Sequence, residues 1–176
     1  GTRVGTIREA GAELARLSES ARELESLVGE RGADVGTVDA AALLRDAADS
    51  VAGPTDAAVA LDVPETLPIR AGGRVERAFE ELIRNAIEHS ETAPPHLRIE
   101  AERTADGRAV VRFADDGPGI PDDEWAVVTG DVEIGPLRHG TGLGLWLVRW
   151  IVDAYGGRLR RAPDGGGTTL SLGFAR

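Results

Sequence analysis

Residues 79–90 read Phe-Glu-Glu-Leu-Ile-Arg-Asn-Ala-Ile-Glu-His-Ser. They lie in a helical pattern from about Gly73 to Ser90, in which Val75, Ala78, Phe79, Leu82, Ile83 and Ala86 share one face. Glu81, Asn85 and His89 recur at i, i+4 spacing and stack beside that apolar stripe, not opposite it. Asparagine is a poor mid-helix residue because its amide competes for backbone hydrogen bonds, so Asn85 needs a reason to be there. The ordinary reason is a solvated face on which Glu81 pairs with Arg77 or Arg84. The sharper one is a polar row turned toward a ligand.

Working outward, two further polar clusters interrupt the apolar pattern. Asp115-Asp116-Gly117-Pro118-Gly119-Ile120-Pro121 directly follows a strand. Its glycines permit positive φ and close backbone approach, and a carboxylate at a strand end is held in a fixed place. Asp115 could accept from a ligand amine, or the stretch could be an acidic surface turn. His139-Gly140-Thr141-Gly142-Leu143-Gly144-Leu145 opens a helix, where successive amides form an anion site that glycine lets a phosphate approach. The flanks are wrong for a dinucleotide-binding fold, since an irregular stretch feeds the helix in place of a tight strand–turn unit. A loop of that length inside a compact domain is usually functional or disordered.

The rest of the chain supplies a scaffold for these clusters. Val35 to Val38 reads as extended, and Asp39 as the N-cap of a helix to about Ser50 that Gly53-Pro54 ends. Ala57 to Val63 and a short piece around Ile69 read as strands. Two more, about 96–102 and 108–114, are joined by an Asp106-Gly107 hairpin turn. Residues 121–138 show no regular period. The helix from Gly140 runs to Tyr155, and strands at about 158–162 and 168–174 close the chain. The expected fold is α+β: a two-layer sandwich with helices on one face of a mixed sheet, preceded by a long N-terminal heptad helix.

That first helix carries Ile7, Ala10, Leu14, Leu17, Ala21, Leu24 and Val28 at alternating spacings of three and four, an a/d seam ending at Gly29 to Gly32. It packs either on the remainder of the chain or, as the narrow seam favours, in a helical hairpin or dimer bundle. Residue 1 is glycine and there is no methionine, so the expectation is a processed chain or an excised piece with partners upstream.

Composition removes whole classes of function. The 176 residues carry 30 acids against 20 bases, a net charge of −10, and no cysteine. A broadly basic nucleic-acid binder is excluded, as are disulfides and thiolate chemistry. All the bases are arginine, which rules out Schiff-base lysines and the lysine of a Walker-type loop. Acid excess without lysine fits adaptation to concentrated salt, as in a halophile, or equally a GC-rich genome. No apolar run approaches the ~20 residues of a membrane-spanning helix, and no membrane contact by this segment is expected.

Taken together and in order, the three clusters resemble the ATP-binding catalytic domain of sensor histidine kinases, in the superfamily of gyrase-type topoisomerases, heat-shock chaperones and mismatch-repair ATPases. FEELIRNAIEHS (79–90) is similar to the family's N-box, DDGPGIP (115–121) and HGTGLGLWLV (139–148) to its glycine boxes, and GGGTTLSL (165–172) to its closing strand. The likeness covers about 36–175 and extends to salt-adapted archaeal members. It implies an ATP-binding domain over 33–176 and, over 1–32, the second helix of a dimerisation hairpin. Asn85 would hold Mg²⁺, since a hard cation bridging phosphates takes oxygen donors. Asp115 would accept from the adenine amino group, with Gly117, Gly119 and Ile120 around the base and Thr168 supporting it. Gly140, Thr141, Gly142, Leu143, Gly144 and Leu145 would place amides at the phosphates. Residues 121–139 would form a lid, with Arg138 and His139 near the phosphates and Trp125 standing in for a phenylalanine box.

Two departures bear on the chemistry. The usual basic residue three after the asparagine is Glu88, so Arg84, His89 or Arg138 would have to serve the phosphates instead. Glu81 stands where asparagine is frequent, as in the superfamily's hydrolysing members, and is read as a general base or a helper in transfer. None of His89, His96 and His139 lies on a dimerisation helix, so the phosphoacceptor histidine is expected upstream, outside this chain. The resemblance further implies a cytoplasmic homodimer through helix 7–28 that serves a response regulator. Two other readings stay open: a serine/threonine kinase of the anti-sigma-factor type, and a non-catalytic ATP-binding assembly module.

Overall fold

A computed structural model describes residues 35–130, 141–162 and 167–175, with side chains given throughout except at 141–143. The N-terminal helix expected over 7–28 lies outside the described residues, as do Arg138, His139 and Gly140.

The described elements run in order β1 (Gly36–Asp39), α1 (Ala40–Ala52), β2 (Ala58–Asp62), β3 (Pro68–Ala71), α2 (Val75–Glu88), β4 (His96–Arg103), β5 (Ala109–Asp115), α3 (Asp122–Thr129), α4 (Thr141–Ala154), β6 (Arg158–Arg161) and β7 (Thr169–Phe174). Five strands form one sheet in the order β2-β4-β5-β7-β6, while β1 and β3 pair separately. Only β2 and β4 run parallel; the other pairs are antiparallel. This is the mixed-sheet, two-layer α+β arrangement that the alternating pattern implied.

Side-chain alternation decides which face is covered. Leu97 and Ile99 of β4, Val111 and Phe113 of β5, and Leu170, Leu172 and Phe174 of β7 all point inward and are buried. Against them pack Phe79, Leu82 and Ile83 of α2 and Leu147, Val148 and Ile151 of α4. The Phe79 and Phe113 rings meet with centroids 6.0 Å apart and planes tilted by 37°, within the range where aromatic pairs add to area burial. Thus α2 is pinned to the sheet at the turn just before Glu81 and Asn85.

Local chemistry sets the ends of the elements. Asp39 caps α1: its Oδ1 accepts from the Ala41 amide at 3.0 Å and also from the Leu67 amide at 2.8 Å. Gly107, at φ +82°, turns the β4–β5 hairpin. One element departs from the sequence reading. Residues 122–129, expected to be irregular, form α3. Asp122, Asp123 and Glu124 complement the dipole of its first turn, and Gly130 ends it at φ +78°. These are local signals, hidden because eight residues are too few to display a 3.6-residue period.

Candidate nucleotide site

A cavity of about 270 Å³ opens between α2, the ends of β5 and β7, and the turn after β5, near the lower bound of small-molecule sites. Asn85, His89, Asp115, Gly119, Ile120 and Thr168 line it, and Leu145 brings in the first turns of α4. Residues from four separate stretches of sequence therefore meet on one wall. The apolar lining comes from Leu82, Phe113 and Leu170, which the sequence does not mark as site residues because core and pocket wall share one periodicity. Pro118, Pro121 and Glu124 complete the side toward α3.

Asp115 is the best-determined polar group of the cavity. It ends β5, and its Oδ1 accepts from the Gly117 amide at 2.9 Å and the Thr168 amide at 3.3 Å. Its own amide donates to the Thr168 carbonyl at 2.9 Å, locking the start of β7 to the end of β5. Burial pushes the Asp115 carboxyl above the usual carboxylate range, with the Gly117 and Thr168 hydrogen bonds opposing and the Asp116 charge adding a smaller upward push. Asp116 turns away from this role. It accepts from Ser90 Oγ at 2.7 Å and from Thr92 Oγ1, and these bonds, Thr92 first, hold its carboxyl below the usual range.

The glycines divide by function. Gly119 has φ +85° and lines the cavity. Gly117, expected beside the base, is not among the described lining residues. A Cβ there would lie 2.9 Å from Asp115 Oδ1 and 3.1 Å from the His89 carbonyl, so its smallness lets its amide reach the carboxylate. A Cβ on Gly167 would lie 2.1 Å from the Asp115 carbonyl oxygen; that glycine allows the last loop to press against the end of β5. Gly144, expected at the phosphates, sits against Glu81: a Cβ there would be 2.4 Å from Glu81 Oε1.

Glu81 itself is not among the cavity-lining residues. It lies between α2 and α4 and accepts from Arg84 Nη1 at 2.8 Å, while Arg77 pairs with Glu80 at 3.0 Å. Arg84 is thereby engaged, which weakens its claim to replace the missing basic residue; His89, exposed and on the cavity, is better placed. Asn85 stands out for the opposite reason. Its Nδ2 is buried with no hydrogen-bond partner, alone in this among the described residues. Such an unspent polar atom costs free energy unless a ligand satisfies it.

Trp125 lies on α3 and is held from β6. Arg161 of β6 stacks over its ring with the guanidinium 5.4 Å from the centroid. The same guanidinium donates to the Ile120 carbonyl and the Asp122 carboxylate. Sequence reading missed Arg161, since an arginine at the end of a short edge strand carries no signal without its tertiary neighbours.

Comparison with known proteins gives the family and the fold. A family model described as "Histidine kinase-, DNA gyrase B-, and HSP90-like ATPase" matches residues 71–175. The methanogenesis regulatory histidine kinase FilI of Methanothrix harundinacea is 36% identical over 100 residues, 55% of this chain and 11% of its own length. The alginate biosynthesis sensor protein KinB of Pseudomonas aeruginosa is 31% identical over 101 residues, 56% of this chain and 17% of KinB. The chain thus spans under a fifth of the length of these relatives. Full-length ShkA, solved in complex with AMPPNP, superposes with a TM-score of 0.73 at 25% identity, covering 97% of this chain and 37% of ShkA. With a family model matched over residues 71–175 and sensor kinases among its homologues, the chain belongs to the histidine kinase-, DNA gyrase B- and HSP90-like ATPase family, as an ATP-binding catalytic domain homologous to those of sensor histidine kinases.

Proposed function

We propose that this segment binds Mg·ATP and presents its γ-phosphoryl group to a histidine on a helix outside the chain, within a two-component sensor kinase. The observation that carries the reading is Asp115. Two backbone amides fix its Oδ1 at a cavity that Leu82, Phe113, Ile120 and Leu170 also line, an arrangement suited to a flat base bearing an amino group. The first turn of α4, beside Leu145, would supply helix-end amides to the phosphates.

Magnesium fits the donors present. Among the described residues no cluster of three His, Asp or Glu side chains could cage a metal; Asn85 would contribute its neutral Oδ1, while its buried Nδ2, which has no hydrogen-bond partner, would donate to an oxygen of the ligand. A hard cation held mainly by phosphates needs little more from the protein. When bound, it would neutralise phosphate charge; the protein's contribution is to position the base and triphosphate and to exclude water. Glu81, tied to Arg84 and Gly144, serves better as a helper that sets the α2–α4 junction than as the base.

The homodimer through helix 7–28, the response regulator and a cytoplasmic setting follow from the same reading, which the homology to sensor kinases supports. Among the described residues no helix is long and apolar enough to cross a membrane. Titration calorimetry with ATP and GTP tests the pocket: ATP should bind more tightly, and Asp115→Asn should remove the preference. Equal binding of the two nucleotides would sink it. Incubating the full-length protein with ATP tests the transfer: acid-labile phosphate means histidine, acid-stable phosphate means serine or threonine, and no incorporation means a binding module.

A further inference from the structure

The sheet face opposite the helices carries a second feature, remote from the nucleotide cavity. In β6 the run Arg158-Leu159-Arg160-Arg161 alternates, so Leu159 is buried inward while Arg158 and Arg160 stand exposed on the outer face. Register places Arg158 beside Gly173 and Arg160 beside Ser171 of β7. Those in turn lie beside Val110 and Arg112 of β5. Gly173 and Ser171 are small, so β7 forms the floor of a trough between arginine ridges, about 440 Å³ in volume. The Arg108 guanidinium closes one end, its Nη2 3.9 Å from where a Gly173 Cβ would stand.

The trough is positive in a chain of net charge −10. Four arginines line it, against Asp106. Arg112 is engaged by Glu102 at 2.6 Å, and Arg108 acts on Asp106. Arg158 and Arg160 have no acidic partner among the described residues. Guanidinium groups present fixed forks of donors that match carboxylates two at a time, so the unspent capacity on β6 asks for anions in a compact arrangement.

We propose that this outer face docks an acidic segment of a partner protein, bearing two or three carboxylates within about 10 Å, the width of three neighbouring strands. The size of the patch argues for a peptide over a nucleic acid. Glu102 and Glu100 of β4 and Asp62 of β2 continue the same rungs across the sheet. A continuous phosphate backbone would therefore run from the arginines onto carboxylates, whereas a short acidic segment ends before reaching them. The pairs would be solvent-exposed, so the contact should weaken steeply with salt.

The test uses a fluorescein-labelled hexaglutamate peptide, read by anisotropy against the whole chain at low salt. Binding is expected, with about tenfold weakening in Arg158→Glu/Arg160→Glu and no change in Arg70→Glu, an exposed arginine off this face. Because charge reversal could disturb β6, Arg158→Gln/Arg160→Gln provides a milder variant that should weaken the peptide in the same direction. ATP titration on each variant should be unchanged, which separates this face from the nucleotide site. Absence of peptide binding, equal binding by the β6 variants, or tighter binding of a single-stranded oligonucleotide than of the peptide would each overturn the proposal.

Discussion

Gly167→Ala is the most searching perturbation of the nucleotide site, because it adds one methyl group where the chain has no room. Gly167 does not occupy the left-handed region, so alanine can adopt its backbone angles; the obstacle is space. Its Cβ would stand 2.1 Å from the Asp115 carbonyl oxygen, 3.2 Å from its carbonyl carbon and 3.5 Å from Asp116 Cα. All three are backbone atoms, which cannot swing aside as a side chain can. To reach the ~3.3 Å of a close C···O contact, the loop must retreat by about 1 Å. That retreat breaks or stretches two hydrogen bonds, Asp115 N to Thr168 O at 2.9 Å and Thr168 N to Asp115 Oδ1 at 3.3 Å. At roughly 1 kcal/mol each, with residual strain, the loss is about 2–3 kcal/mol. For a chain of this size the melting temperature should fall by about 4–12 °C. Since Asp115 also loses an orienting donor, ATP affinity should drop by about tenfold. Gly173→Ala is the control: its Cβ would meet nothing nearer than 3.9 Å, so its melting curve should match the parent's. The two variants are compared by thermal circular dichroism and ATP titration calorimetry. A Gly167→Ala protein that melts with the parent and binds ATP equally would refute the argument that this glycine holds Asp115 in place.

Further outcomes concern Asp115, Gly144 and Arg161. Asp115→Asn should weaken ATP by about 1–3 kcal/mol: the Gly117 and Thr168 amides keep the oxygen, so the amide nitrogen is left facing the adenine amino group, donor against donor. ATP affinity in the parent should also fade on acidification at a higher pH than an ordinary carboxylate would dictate, because the folded pKa of Asp115 is raised. The same shift means that folding of the empty protein gains from protonation of Asp115, a gain lost as pH rises through that pKa; calorimetry across a pH series reads both. Gly144→Ala should displace the Glu81 carboxylate, a flexible group, and so cost under about 1.5 kcal/mol in stability. Glu81→Ala should relieve that strain, and strictly additive melting shifts in the double variant would argue against the contact. Arg161→Ala removes the cation–π contact and two hydrogen bonds that hold α3, and should redshift Trp125 emission; an unchanged spectrum, with Trp146 and Trp150 replaced by phenylalanine, would contradict it.

Sequence and tertiary structure contributed unequally, element by element. The stripe of α2 was legible because one helix face repeats every 3.6 residues, and Asp39 because an N-cap is a local bond between neighbours. The two-layer fold followed from such patterns, as did the candidacy of Asn85 and Asp115, whose polar character breaks the run around them. What sequence could not supply was who meets whom. Gly144, expected at the phosphates, also makes room for Glu81, 63 positions earlier. Gly117, expected beside the base, lets its amide reach Asp115. Arg158 and Arg160 carry no signal along the chain; the register sets them beside Gly173 and Ser171. The order of the motifs determined the family, because their residue types and spacing are carried along the chain. The division of labour within the site was decided only by folding, because contacts across a sheet or between helices join residues whose separation in sequence leaves no periodic trace.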